Sequence, residues 1–218
     1  MPAHRLPRSP ELLSIPLLAV VGTYVKGRDP AVQHAALASG ATQATFGQSV
    51  QVCHMGPPLG NAETQAHVAG WIGDLTATES ARLRHWLHRA QDEMVTGDPV
   101  DNMTNRDYVI HPPYQRHQTE VPGRYQFRCS CAGLVLWAYE RIGIVILNWR
   151  HPEMPLAQNE LLRQLRHVER QNPNLLPPDR ADWHVVNAGY LFHSLSRLDE
   201  EIRRNPYLPQ SQSEISFP

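Results

Sequence analysis

The residues in this chain with the means to do covalent chemistry are Cys53, Cys129 and Cys131, together with twelve histidines that could serve as bases. Two of the three cysteines fall in one stretch, RYQFRCSCAGLVLWAYERIGI, residues 124–144. After Cys131 the apolar spacing is helical. Leu134, Val135, Ala138 and Ile142 stack on the face that carries Cys131, which points the thiol toward whatever that face packs on. In the first turn of a helix a thiol meets unpaired N–H groups and the positive end of the macrodipole, which favour the thiolate and make it a better nucleophile. Ala132 and Gly133 are small, so a substrate carbonyl could approach the sulfur, and backbone N–H groups could face the oxyanion that develops. Packing is the commoner reason for a cysteine on an apolar helix face, so position alone does not decide its role. Metal binding is a weaker reading. Cys129-x-Cys131 is not the usual zinc-knuckle spacing and no second cysteine pair exists, so neither a metal site nor a cofactor is expected.

The elements that would have to position such a thiol can be read from the rest of the chain. With 218 residues and 41% hydrophobic content, it can bury one substantial core. Its net charge of −1 gives no reason to expect nucleic acid or an anionic membrane surface as partner. No run approaches the roughly 18 apolar residues of a membrane span, and Glu11 and Pro16 interrupt the early apolar stretch where a signal peptide would be unbroken. Three cysteines cannot close into disulfides as a set, which suits a reducing compartment. A cytoplasmic protein is expected. Short apolar runs separated by Gly, Pro and Asn signals (LLAVVGTYV, HAALAS, ATQATFG, SVQVCHM and AHVAGWIGDL) predict four or five strands between residues 16 and 75. Thr76 followed by Glu79 is a capping-box pattern, and Leu83, Trp86, Leu87, Ala90 and Met94 repeat at helical spacing, predicting an amphipathic helix over 78–95. A polar, proline-containing loop region follows at about 96–126, then the Cys131 helix, a helix in AQNELLRQLRHVERQ, and another in NAGYLFHSLSRLDEEIRR. The organisation expected is an N-terminal extension over 1–15, a single α+β domain over 16–204, and a flexible polar tail over 205–218.

CSCAGLVLWAYERIGI resembles the nucleophile helix of NlpC-type papain-like cysteine peptidases, a pattern of Asp-Cys-Ser-Gly-Phe/Leu-Val followed by an aromatic-containing turn and Gly-Ile. The matching positions are Cys131, Gly133, Leu134, Val135, Tyr139, Gly143 and Ile144; Ser130 and Ala132 depart from it, where the family has Asp and Ser. Because the strands precede the cysteine helix, the order is similar to that of the circularly permuted, lecithin:retinol-acyltransferase-like relatives, in which the histidine strand comes first. The resemblance implies a permuted papain-like α+β fold, with an antiparallel sheet from the N-terminal half packed on the Cys131 helix and extra helices at the C-terminus. It further implies a thiol hydrolase or acyltransferase acting on an amide or ester of a peptide-like or acyl substrate, through a Cys131 thioester. In HAALASGATQATFG, His34 takes the place of the family's strand histidine and is the favoured base; His184, downstream in DWHVVNAGYLF, is the other candidate. The relatives place a polar orienting residue on the next strand. Gln43, Thr45 and Gln48 are available there, with His54 in QVCHMG as a possible substitute. Each of His34, His54, His67 and His184 could also be an ordinary packed residue. The alternative function is a non-catalytic binding or structural protein that retains the fold.

Overall fold

Runs of Val, Ala and Thr broken by Gly, Pro and Asn favour short pleated strands. The computed structural model describes residues 3–8, 11–24, 32–55, 59–95, 113–118, 125–155, 186–215 and 217. His184, the helix expected in AQNELLRQLRHVERQ, the side chains of Ala90 and Met94, and most of the 96–126 region lie outside the described residues. The N-terminal half is built from β1 (His4–Arg5), β2 (Leu13–Ile15), β3 (Val20–Tyr24), β4 (Val32–Ala38), β5 (Thr42–Ala44), β6 (Gln48–Met55), β7 (Leu59–Ala66) and β8 (Val68–Gly70). Six of them form one antiparallel sheet in the order β1-β8-β3-β4-β6-β7, and β2 pairs with β5 separately.

The last two strands are one stretch interrupted at His67. β7 pairs along its length with β6, whereas β8 pairs with β3. Residues 59–70 therefore reach from one side of the sheet to the other and curl it toward a barrel. Thr23 on β3 fastens the curl, its Oγ1 lying 3.0 Å from Thr64 Oγ1 and donating to the Gln65 carbonyl at 2.7 Å. The inner side of the curl holds small residues, among them Val21, Ala36, Ala38, Val50, Val52, Ala66 and Ala69, which are buried together. The opposite side carries Val20, Ala35, Leu37, Cys53 and Val68, and joins the main core.

Helices cover that second side. The capping box at Thr76 is formed in both directions: Glu79 N–H donates to Thr76 Oγ1 at 3.1 Å, and Thr76 N–H donates to Glu79 Oε2 at 2.8 Å. It opens α1 (Ala77–Val95) one residue ahead of the sequence reading. Within the stretch read as loop, β9 (Tyr114–Gln118) pairs antiparallel with β10 (Tyr125–Cys129), which runs directly into α2 (Cys131–Glu140). YQRHQ carries no apolar alternation, so periodicity could not reveal it. The single helix expected over 187–204 divides into α3 (Ala188–Leu195) and α4 (Asp199–Arg204). Leu198 is extended (φ −66°, ψ 143°), and Asp199, Glu200 and Glu201 supply the acidic first turn of a new helix. The C-terminal stretch read as a tail lies against this body: Asn148 N–H donates to the Tyr207 carbonyl at 2.8 Å, Phe217 is buried, and its carbonyl accepts from Tyr24 Oη at 3.0 Å. The protein is thus an α+β fold on an antiparallel sheet. Among the described residues no helix is long and apolar enough to cross a membrane.

Gly22 marks where α3 meets the sheet. A Cβ there would lie 2.6 Å from both Val68 Cγ1 and Phe192 Cε2. Gly22→Ala is expected to lower stability by about 1–3 kcal/mol through overpacking, read as a fall in the urea midpoint at unchanged m. An unchanged midpoint would mean that the Phe192 ring yields without penalty.

Candidate active site

The helix start predicted at Cys131 forms, and Ser130 makes it. Ser130 is the N-cap, extended at φ −81° and ψ 174°, and its Oγ accepts from Gly133 N–H at 2.9 Å. Cys131 follows as the first helical residue and is 8% exposed. The apolar face expected behind it is present, with Leu134, Val135, Ala138 and Ile142 all buried in the main core. Cys129, the last residue of β10, is buried as well.

The opening expected beside Gly133 is filled by the chain itself. Ser130 N–H donates to the Pro113 carbonyl at 2.8 Å, and a Cβ on Gly133 would lie 1.6 Å from that same oxygen. Glycine is therefore needed here for backbone approach, not for substrate access. Pro113 is held there by its neighbour. The Tyr114 ring stacks on Trp137 of α2 with centroids 5.7 Å apart and an interplanar angle of 2°, and Trp149 meets Tyr114 edge-on at 5.6 Å. The Tyr114 hydroxyl donates to Glu140 and accepts from Arg150 Nη2 at 2.9 Å. Burial, reinforced by Glu140, pushes the Tyr114 hydroxyl up to about 12, so it remains a donor across the working pH range. A strap of β9 is thus clamped over the first turn of the cysteine helix.

His34 and His54 are brought together. His34 Nε2 lies 2.8 Å from His54 Nδ1, and the rings meet edge-to-face with centroids 5.0 Å apart. The other proposed orienting residues are used elsewhere: Gln48 Oε1 accepts from Thr45 N–H at 3.0 Å in the β5–β6 turn, and Gln43 reaches toward Ser14 on β2. His67 plays a packing part, stacked on Tyr24 and edge-on to Phe46, with its Nδ1 accepting from Tyr24 N–H at 3.3 Å. Burial lowers the His34 pKa; for His54 burial acts first and the charge of His34 second, in the same direction. Both imidazoles are therefore neutral at pH 7. If His34 is the Nε2–H tautomer donating to His54 Nδ1, its own Nδ1 keeps the lone pair of a base.

The relation of this pair to Cys131 follows from chain direction. Tyr139, near the end of α2, donates to the Leu18 carbonyl, while Leu18 N–H donates to the Ala38 carbonyl at the end of β4. α2 packs along β4 from that anchor. Eight residues of helix carry Cys131 about 12 Å back from Tyr139, and four residues of strand carry His34 about 13 Å back from Ala38. Were α2 aligned with β4, these rises would bring the thiol and the imidazole to about one level of the fold. Strand alternation, however, groups His34 with Ala36 and Ala38 on the inner side of the curl, whereas α2 rests on the side of Ala35 and Leu37. The way from one to the other runs around the start of β4, where Gln33 is an extra residue between the pairs Thr23–His34 and Tyr24–Val32. Bulges of this kind re-aim neighbouring side chains. His184 lies outside the described residues. Among the described residues no cluster of three His, Cys, Asp or Glu could hold a metal ion.

Lowered histidine pKa values give the fold a pH signature. Above about pH 6.5 the histidines are neutral whether the chain is folded or unfolded; below it the unfolded chain takes up protons that the buried pair refuses, so stability is lost as pH falls. The wild-type urea midpoint is expected to drop between pH 7 and 5, and His34→Gln to flatten that slope; equal slopes would remove the pair from the balance. Gly133→Ala is expected to displace Pro113 and to speed Cys131 alkylation several-fold in protein that remains folded by circular dichroism. Compared with protein-family models, curated proteins and solved structures, the chain matches none.

Proposed function

We propose that the protein is a thiol hydrolase or acyltransferase of permuted papain-like type, acting on an amide or ester through Cys131. The observation that supports this reading most is the hydrogen-bonded His34–His54 pair, whose burial favours the neutral state of both imidazoles. In this mechanism His34 Nδ1 takes the Cys131 proton, while His54 holds the imidazole in orientation and tautomer. The thiolate attacks the substrate carbonyl, and the resulting oxyanion is taken by first-turn N–H groups ahead of Gly133, whose own N–H is engaged by Ser130 Oγ. The tetrahedral intermediate collapses to a thioester as the amine or alcohol departs with the proton from His34. Water or an acceptor amine then gives a proton to His34, attacks the thioester and releases Cys131. A peptide-like or acyl substrate suits a near-neutral protein.

The second reading, a binding protein that keeps the fold, is favoured by two specific observations. The Pro113 carbonyl occupies the approach beside Gly133, and strand alternation turns His34 away from α2. Both could be overcome only by movement of the β9 strap and of the start of β4.

Iodoacetamide labelling followed by peptide mass spectrometry across pH separates the readings. The expected result is that Cys131 labels faster than Cys53 near neutral pH, and that His34→Ala slows it at least tenfold while His184→Ala does not. The reverse pattern would make His184 the base. Labelling of Cys131 only on unfolding would leave it a core residue and end the catalytic reading.

A further inference from the structure

Two arginines near the C-terminus, Arg197 and Arg203, differ in how their guanidinium groups are satisfied. Arg203 on α4 is saturated: Nε donates to both oxygens of Asp74 at 3.1 Å, Nη1 to Glu79 Oε1 at 2.8 Å and Nη2 to Glu79 Oε2 at 3.1 Å. Arg197 lies in the turn between α3 and α4 with its guanidinium over the Tyr207 ring, 5.4 Å from the centroid. Its Nε and Nη2 are buried and have no hydrogen-bond partner among the described residues. These two nitrogens form one edge of the guanidinium, with parallel N–H bonds aimed the same way, which is the fork that receives both oxygens of a carboxylate.

Buried donors without acceptors are costly and call for an explanation. The nearby acids do not supply it. Glu201 is close enough to act electrostatically on Arg197, opposing the effect of burial, yet forms no ion pair with it among the described residues. Glu214 is engaged by the Tyr207 hydroxyl and by the N–H groups of Gln210 and Ser211. We propose that the Nε–Nη2 edge of Arg197, backed by Tyr207, is a binding site for the carboxylate of a small organic acid. A single cation whose fork has no acceptor among the described residues matches one negative charge on a planar, two-oxygen group. It does not match a phosphate dianion, which would need more than one cation. The site is independent of Cys131 and its function.

The test is a titration of the full chain, labelled with 15N-arginine, by sodium acetate, sodium chloride and inorganic phosphate at matched ionic strength. One arginine Nε–H resonance, missing from Arg197→Lys, is expected to shift saturably with acetate and not with the other two, and the wild-type melting temperature is expected to rise by a few degrees in acetate alone. Arg197→Lys keeps the charge but loses the fork, so it should show no acetate-specific rise. If that variant fails to fold, the wild-type titration still decides. The absence of any saturable, acetate-specific arginine shift would mean that water fills the fork, and an equal response to chloride or phosphate would mean an unspecific cation; either overturns the site.

Discussion

The geometry of the cysteine helix depends on one close approach, the Pro113 carbonyl against the first turn of α2. Ser130 N–H takes that carbonyl while Ser130 Oγ takes Gly133 N–H, so one residue ends β10, caps α2 and fixes the backbone on either side of Cys131. Only glycine at 133 leaves room for it. The stacked Tyr114–Trp137 pair and the Glu140–Arg150 contacts secure the other end of the strap, so the position of Cys131 is set by packing of residues well apart in sequence.

Elements with a strong local signal were legible in the sequence. The Thr76–Glu79 capping box, the apolar stripe behind Cys131, and the strands at AVVGTY, HAALA and SVQVCHM need only short-range chemistry or a clear period. β7 could not be seen, because LGNAETQA is polar on its outer side and small on its inner side, as a strand inside a tight curl must be. The break between α3 and α4 hid behind continuous helical periodicity, since a single extended residue, Leu198, suffices to make it. Polar composition made 205–218 read as a tail, although Tyr207 and Phe217 anchor it.

The site was legible as residue types but not as geometry. His34 and His54 were both candidates, yet the hydrogen bond between them joins two strands separated by β5 and its turns, and no local rule predicts it. The filled space beside Gly133 was also invisible, because a small residue in a sequence marks a close approach without saying what approaches. Burial of two imidazoles side by side favours the uncharged state of each, an effect that exists only once the sheet has formed.

The doubled use of residues 59–70 also bears on how the protein meets other chains. A sheet normally ends in strands whose unpaired N–H and C=O groups can template a neighbour, and aggregation begins there. Here the strand that pairs with β6 turns at His67 and goes on to pair with β3, while Thr23 and the His67 N–H bond to the Gly22 carbonyl tie the two sides across the gap. Beyond β8 the sheet adds only the two-residue β1. On the β1 side only those two residues form an edge among the described residues, so a foreign strand joining this sheet would have to add at β7, which ends it on the other side.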